Sequence, residues 1–251
     1  MPSCEEAPDA SSKTLASNRS LNVVLLGYRS NPYSGGQGIY LKYLARALTK
    51  AGHKVDVISG EPYPELDEGI NLIKLPGLNL FAAEKPFKAL QWRHLLSATD
   101  LFEWLSFNSG GFPEPYTFGR RLLRHLQRYG NHYDLIHDNQ SLAPALLTLQ
   151  RRGVPVVSTI HHPITYDRAI ALAHEKNWGM RLLIKRWHMF LRMQIRVAKR
   201  LENIVTVSEN SKVDISADFA VAAERLTVVY NGVDSTTFAP RPDVNRDPMH
   251  L

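Results

Sequence analysis

The sequence predicts an α/β protein whose core is a doubly wound, mostly parallel sheet. Seven short runs of apolar and β-branched residues alternate along the chain with stretches of helical periodicity. Several runs are apolar at successive positions, as in Val23–Leu26, which is typical of parallel strands that are covered on both faces. Gly52 and Gly153 each follow a helical stretch, where a left-handed residue commonly ends a helix. These patterns predict one domain over residues 21–238, built from βαβ units with right-handed crossovers.

The positions of these patterns give the predicted order of the elements. The predicted strands are Leu21–Tyr28, Lys54–Ser59, Ile70–Leu75, Leu135–His137, Pro155–Ile160, Asn203–Val207 and Leu226–Tyr230. The predicted helices are Gly38–Ala51, Phe118–Tyr129, Leu142–Arg151, one long helix near Asp167–Leu201, and Ser208–Phe219, which Ser208 is expected to cap. An insertion, Asn79–Pro115, interrupts the alternation and is predicted to contain a helix near Phe87–Ser106.

The composition excludes a wholly disordered chain, a collagen and a disulfide scaffold, since 44% of the 251 residues are hydrophobic and 22% are charged. Cys4 is the only cysteine, so no intrachain disulfide can form, which favours a reducing, cytoplasmic location. Residues 1–20 contain no apolar signal segment and are predicted to be a disordered polar tail. Residues 239–251 contain three prolines and have the composition of an interdomain linker.

The net charge of +6 comes from one segment, because Arg181–Arg200 holds seven Lys and Arg residues and no acidic residue. On a continuous helix, six basic side chains would lie within about 80° of one another. They are Arg181, Lys185, His188, Arg192, Arg196 and Lys199. This stripe indicates either peripheral contact with an anionic membrane, at its inner face, or a solvated face of a helix packed on the sheet. No nucleic-acid-binding motif is present, and no nucleic-acid partner is expected.

A glycine-rich loop separates the first predicted strand from the first predicted helix. Gly35, Gly36 and Gly38 lie there, where free backbone amides and the helix dipole favour an anion. The spacing matches neither the dinucleotide-binding fingerprint nor a P-loop, so a nicotinamide-dependent oxidoreductase is poorly supported. The loop by itself is consistent with phosphate or sugar binding and equally with a flexible turn.

Five segments in order resemble the amino-terminal, acceptor-side domain of family 4 glycosyltransferases of the GT-B fold, and the resemblance covers about residues 22–240. The first contains Pro32, Gly35, Gly36 and Tyr40 and continues to Val57. The others are YDLIH at 133–137, VPVVSTIHH at 154–162, TVSENS at 206–211 and VYNGVDSTTF at 229–238. The resemblance implies a Rossmann-like half-domain of such an enzyme.

The resemblance also implies an activity and a set of site residues. Family members transfer a sugar from a nucleotide-diphosphate donor to the hydroxyl of a sugar, lipid or small-molecule acceptor, with retention and without a required metal or other cofactor. His161 would lie against the transferred sugar as the catalytic residue, and His162 could exchange roles with it. Gly35, Gly36 and Gln37 would face the donor and acceptor.

Polar residues at other strand ends are further candidates. Asp138, Asn139 and Gln140 would bind acceptor hydroxyls, although Asn139 or Ser141 is equally suited to cap the next helix. Asp167 and Arg168 follow the next strand and could reach the same cleft. Near the end of the chain, the Asn231-Gly232 turn, with Asp234 and Phe238, is expected to anchor a hinge.

The family's second domain, with its phosphate-binding basic pair and two glutamates separated by seven residues, has no counterpart here. No Glu in the sequence has another Glu eight positions later. We therefore expect the acceptor-binding half of a glycosyltransferase, inactive without a carboxyl-terminal donor domain that another chain could supply. The alternative is a non-catalytic sugar- or nucleotide-binding module that docks with a partner chain.

Overall fold

The computed structural model describes residues 19–235 and 237–239. The predicted tail, 1–20, and the predicted linker, 239–251, lie outside this part except for positions 19, 20 and 239. Seven parallel strands form one sheet in the order β3-β2-β1-β4-β5-β6-β7. The strands are β1 Asn22–Gly27, β2 Lys54–Ser59, β3 Asn71–Lys74, β4 Leu135–Asn139, β5 Val156–Ile160, β6 Asn203–Thr206 and β7 Leu226–Val228. The predicted doubly wound parallel sheet is confirmed.

Eight α-helices connect or flank the strands within the described residues. They are α1 Gln37–Lys50, α2 Ala98–Asn108, α3 Glu114–Tyr129, α4 Pro144–Arg151, α5 Thr165–His174, α6 Trp178–Trp187, α7 Phe190–Ala198 and α8 Glu209–Phe219. Short 3₁₀ turns lie at Pro86–Ala89, Trp92–Leu96 and Ala223–Arg225. No helix in the described part of the chain has the length and apolar character needed to cross a bilayer.

The core lies on both faces of the sheet, because alternate side chains of each strand point in opposite directions. On β1, Leu25 packs with Leu41 of α1, whereas Val24 packs in the cluster that contains Leu122 of α3 and Leu146 of α4. All of these side chains are at most 1% exposed. Burial of each contributes about 1.5–3 kcal/mol to folding, which fixes the central strands β1 and β4 side by side.

The strand order reverses at β1. The chain runs outward from β1 to β3 on one side and from β4 to β7 on the other. The loops after β1 and β4 therefore diverge to opposite faces and leave a crevice beyond the carboxyl ends of the strands, where ligands of such sheets bind.

The prediction of one long helix near Asp167–Leu201 is wrong, because this segment forms the three helices α5, α6 and α7. Asn177 starts α6 by accepting a hydrogen bond from the Met180 amide at 3.1 Å. The chain then bends at residues 188–189, where the Met189 amide bonds to the Arg186 carbonyl and Leu191 to His188. The six basic residues therefore do not form a stripe along a single helix.

The helix predicted near Phe87–Ser106 is also corrected. Its first part forms the two 3₁₀ turns, and α2 begins only at Ala98. Ser97 accepts a hydrogen bond from the Asp100 amide and so sets that start. By contrast, the expected cap of the last helix is confirmed, because the Ser208 hydroxyl accepts from the Ser211 amide at 3.1 Å.

Candidate functional site

The glycine loop after β1 presents backbone to solvent at the start of α1. Gly35 and Gly36 have φ values of +82° and +72°, a region that favours glycine, and a Cβ at either position would meet no atom within 4 Å. Gly36 is the N-cap of α1, and its carbonyl accepts from the Tyr40 amide at 2.8 Å. The positive end of the helix dipole therefore meets open space, as an anion site requires.

Asn139, at the end of β4, connects this loop to the predicted catalytic histidine. Its Nδ2 donates to the Gln37 carbonyl at 3.1 Å, and its Oδ1 lies 2.7 Å from His161 Nε2. The connection is possible because β4 lies between β1 and β5, so that the loop and the histidine flank one strand end. The predicted juxtaposition of the glycine loop and His161 is present in the structure.

The same contacts define the tautomer of His161. Because Nδ2 of Asn139 donates to a carbonyl oxygen, its Oδ1 is the acceptor and His161 Nε2 must carry the hydrogen. Burial, followed by the nearby His162, lowers the pKa of His161 to about 4. The ring is therefore neutral near pH 7, and Nδ1, which has no partner among the described residues, keeps its lone pair.

Tyr40 fixes the plane of the imidazole. Its ring meets His161 edge to face at a centroid distance of 4.7 Å and an angle of 87°. The Tyr40 hydroxyl lies 3.2 Å from Thr159 Oγ1, which lies 2.7 Å from Nε2 of His137. Burial lowers the pKa of His137 to about 4, so it is also neutral near pH 7. Tyr40 was not among the predicted site residues, although it stands one helical turn after Gly36.

Gln140 holds the main chain around His161. Its Oε1 accepts from the His161 amide and its Nε2 donates to the His162 carbonyl, each at 2.9 Å. Gln194 of α7, which is 1% exposed, donates in turn to the carbonyls of Gln140 and Ser141 at 3.2 Å. Gln140 was expected to bind acceptor hydroxyls, but its side chain is engaged by the main chain of His161 and His162. No local motif marked Gln194, because its partners come from a distant part of the chain.

The structure corrects the prediction for Asp138. This residue is fully buried, and its carboxylate accepts from the Ser141 hydroxyl, the Ser158 hydroxyl at 2.8 Å and the Leu142 amide at 3.0 Å. Burial raises the pKa of Asp138, while these hydrogen bonds lower it. The carboxylate stabilises the loop and presents no surface to an acceptor.

Two other candidates have different surroundings. The Gln37 carbonyl accepts from Asn139, while the Gln37 side chain approaches the buried Tyr28 hydroxyl. Burial raises the pKa of Tyr28 to about 12. His162 is 62% exposed and lies 3.7 Å from Asp167. Ligand binding by the Gln37 and His162 side chains stays a prediction.

Neither Asn139 nor Ser141 caps the following helix. The N-cap of α4 is Ala143, and no side chain accepts a hydrogen bond there. The prediction that Asn139 or Ser141 caps this helix is therefore wrong. The Asn139 side chain instead contacts Gln37 and His161 at the crevice.

A groove of about 600 Å³ adjoins the glycine loop along α1. Tyr40, Tyr43 and Arg46 line one side, and the segment after β7, residues 229–234, lines the other. Arg46 Nη1 lies 3.6 Å from Asp234 Oδ2 and so attaches this segment to α1. The volume is in the range of small-ligand sites, and the attachment is consistent with the hinge anchor expected at Asp234.

Comparisons with known proteins agree with this architecture. The model of Glycosyltransferase Family 4 matches residues 34–237. The MMP alpha-(1->4)-mannosyltransferase of Mycolicibacterium hassiacum is 43% identical over 222 residues, which are 88% of this chain and 54% of that protein. A glycogen synthase of Mycobacterium tuberculosis is 24% identical over 80% of this chain and 45% of its own length. The chain thus spans about half the length of the curated relatives it matches.

Solved structures share the fold at low sequence identity. WaaG, a glycosyltransferase of lipopolysaccharide biosynthesis, superposes with a TM-score of 0.52 at 14% identity over 84% of this chain and 45% of its own. The catalytic domain of Arabidopsis thaliana starch synthase IV, bound to ADP and acarbose, also gives 0.52, at 15% identity over 90% and 54%. Anabaena HepE, in complex with UDP, gives 0.51 at 15% identity over 89% and 47%. With a family match over most of its length and a relative at 43% identity, the chain belongs to glycosyltransferase family 4.

Proposed function

We propose that this chain is the acceptor-binding half of a retaining glycosyltransferase that uses a nucleotide-diphosphate sugar as donor. The observation that carries the proposal is the double contact of Asn139, which joins the start of α1 and His161 in one crevice. The relative at 43% identity is named as a mannosyltransferase, and HepE and the starch synthase were crystallised with UDP and ADP. These similarities support a nucleotide-sugar donor and a sugar, lipid or small-molecule acceptor.

In this proposal the glycine loop faces the donor diphosphate. The leaving diphosphate gains negative charge as the glycosidic bond breaks, and the amides and helix dipole at Gly35 and Gly36 would stabilise that charge. A helix terminus that is exposed to solvent contributes about 0.3–1 kcal/mol. This term is small, so further donor contacts are needed from elsewhere.

His161 would act as a hydrogen-bond acceptor at Nδ1. The neutral ring, with Nε2–H committed to Asn139, can accept a hydrogen bond from a hydroxyl of the transferred sugar or the acceptor. One such bond contributes about 0.5–1.5 kcal/mol. Its role is therefore to orient a hydroxyl at the reacting centre.

The transfer step requires a second half. The acceptor oxygen must lie about 3–3.5 Å from the anomeric carbon, in a site from which water is excluded. The glycine loop is exposed here, and the chain spans about half the length of its relatives. We expect the second half to come from further sequence or from another chain, and the 251-residue chain to be inactive alone, with no metal requirement.

The test is a fusion of this chain to the carboxyl-terminal half of the Mycolicibacterium relative. Release of nucleoside diphosphate from UDP-, GDP- and ADP-sugars would be measured with and without an oligosaccharide acceptor. We expect acceptor-dependent release by the fusion, none above background by the chain alone, and a loss of about two- to tenfold in kcat/KM for His161→Ala. His174→Ala, at an exposed position of α5, is the matched control. Turnover by the chain alone would contradict the half-enzyme, and unchanged kcat and KM in His161→Ala would exclude His161.

A non-catalytic sugar- or nucleotide-binding module is the second candidate. It is favoured by the groove along α1, whose volume of about 600 Å³ is in the range of small-ligand sites. This alternative predicts saturable binding of UDP, ADP or an oligosaccharide by the chain, measured by calorimetry, with no acceptor-dependent release by the fusion. Peripheral contact with an anionic membrane through Arg181–Arg200 and a cytoplasmic location stay predictions.

A further inference from the structure

A cationic cavity lies between α5 and the bend that joins α6 to α7. Its volume is about 390 Å³. The lining residues are Arg168, Leu172, Lys185, His188, Met189 and Arg192. We call this cavity the α5–α7 pocket. It brings three basic residues of the segment, Lys185, His188 and Arg192, together with Arg168 of α5, so part of the predicted stripe lines a cavity.

The cations of the α5–α7 pocket have no acidic partner among the described residues. The side chains of Arg168, Lys185 and Arg192 make no hydrogen bond or ion pair there, and no carboxylate lines the cavity. The nearest acidic residues along the chain are engaged elsewhere. Asp167 lies beside His162, and Glu175 accepts from the Asn177 amide at 2.7 Å. Three cations that line one cavity without a carboxylate among them repel one another, so an anion bound there would be favoured.

Two other basic residues of the same segment, Arg181 and Arg186, have structural partners that shape the pocket. The Arg181 guanidinium donates to the carbonyls of Leu172 and Glu175 and so fixes α6 against α5. Arg186 donates to the hydroxyls of Ser106 and Ser109 at 3.2 and 3.0 Å. These contacts hold the walls of the pocket in place and leave its own cations available.

The α5–α7 pocket lies close to the proposed transfer site. Arg168 follows His161 by seven residues, four of them in α5, so their Cα atoms are at most about 20 Å apart. On the other wall, α7 carries Gln194, which holds the loop that positions His161. An acceptor that spans this distance can place one group in the pocket while its hydroxyl approaches His161.

We propose that the α5–α7 pocket binds a phosphate or carboxylate group of the acceptor. The assignment to the acceptor depends on the proposed function, whereas the anion site depends only on the pocket. Arginine carries paired donors that match the oxygens of either group, and two arginines, Arg168 and Arg192, line the cavity. Leu172 and Met189 provide apolar walls for the carbon part of the ligand.

The test is direct binding to the 251-residue chain, with no transfer reaction involved. Calorimetry would use inorganic phosphate and mannose 6-phosphate as soluble probes at matched ionic strength, and co-sedimentation would use phosphatidylglycerol and phosphatidylcholine vesicles. Arg168→Gln and Arg192→Gln, singly and together, remove the pocket cations. Arg196→Gln is the matched control, since Arg196 is exposed one turn further along α7 and does not line the pocket.

We expect saturable binding of the soluble probes that weakens about tenfold or more for each pocket arginine and is unchanged in Arg196→Gln. The same pattern on phosphatidylglycerol vesicles alone would identify a lipid headgroup as the source of the anion. Absence of anion binding, or an equal weakening of binding in Arg196→Gln, would overturn the proposal that the α5–α7 pocket binds an anion. If the double variant does not fold, phosphate should slow acetylation of Lys185 in the unaltered chain more than acetylation of Lys199, and equal rates would refute the proposal. A failed transfer assay would leave these binding results unaffected.

Discussion

Asn139→Asp is the sharpest test of the site, because it changes one atom type and reverses the electrostatics at His161. In the structure, Asn139 accepts from His161 Nε2 at 2.7 Å and donates to the Gln37 carbonyl at 3.1 Å. Aspartate keeps the acceptor, adds a negative charge beside the imidazole and places that charge against the carbonyl. The imidazolium form of His161, which burial now disfavours, gains a counter-ion.

The magnitude follows from Coulomb's law. Two unit charges about 4 Å apart interact by about 4 kcal/mol at an effective dielectric constant of 20. Each pKa unit corresponds to about 1.4 kcal/mol, so the substitution should raise the pKa of His161 from about 4 to about 7. At neutral pH the ring would then be partly protonated, and Nδ1 would donate a hydrogen bond where it now accepts one.

The assay is an NMR pH titration of the chain with ¹³C-labelled histidine, with the His161 signal assigned by its absence in His161→Ala. We expect no titration of His161 between pH 5 and 8 in the unaltered chain and a midpoint near 7 in Asn139→Asp. Asn108→Asp, which adds the same charge at an exposed position of α2, should leave the His161 signal unchanged. A His161 pKa that stays below about 5 in Asn139→Asp would show that the two side chains are not in contact and would refute the tautomer assignment.

Further predictions concern stability. The pKa values of His137 and His161 lie near 4 in the folded chain and near 6.5 in the unfolded chain. Between these pH values the unfolded state binds more protons than the folded state. The free energy of unfolding should therefore fall by several kcal/mol from pH 6.5 to pH 4. Urea unfolding at stepped pH checks this, and a flat profile would contradict it. Asp138→Ala leaves three buried donors without an acceptor and should lower the free energy of unfolding, measured in urea, by about 3 kcal/mol or more. A decrease of less than about 1 kcal/mol would contradict the structural role of the carboxylate. Gly38→Ala should destabilise the fold by several kcal/mol, because its Cβ would lie 2.3 Å from a main-chain oxygen, while Gly35→Ala should cost only about 1–2 kcal/mol for its positive φ. Equal melting temperatures for the two glycine variants would contradict the packing of the loop.

The sheet could be predicted because its signal is local. A strand covered on both faces needs apolar side chains at successive positions, and β1 shows this directly in Val23–Leu26. The place of the site could be predicted for a related reason. Carboxyl ends of neighbouring parallel strands meet at one edge, so a loop after β1 and a histidine after β5 had to lie near β4 once the strand order was known.

The direction of each site side chain was decided by the pleat and by the contacts across it. His137 and Asn139 point to the face of β4 on which Tyr40 of α1 lies. Asp138 points to the opposite face and is buried beside Ser158. Strand alternation separates neighbouring residues into two sets, but the sequence did not indicate which set faces the crevice. That depends on which helix covers each face, and helix packing is a property of the whole chain.

The amino-acid sequence by itself determined the parallel α/β architecture, the glycine positions at the start of α1 and the candidacy of His161. The tertiary structure alone decided the tautomer of His161, the burial of Asp138 and the break of the basic segment into α6 and α7. The physical reason is the range of the interactions. Periodicity and backbone conformation depend on residues close in the chain, whereas hydrogen-bond partners and burial depend on segments that folding brings together.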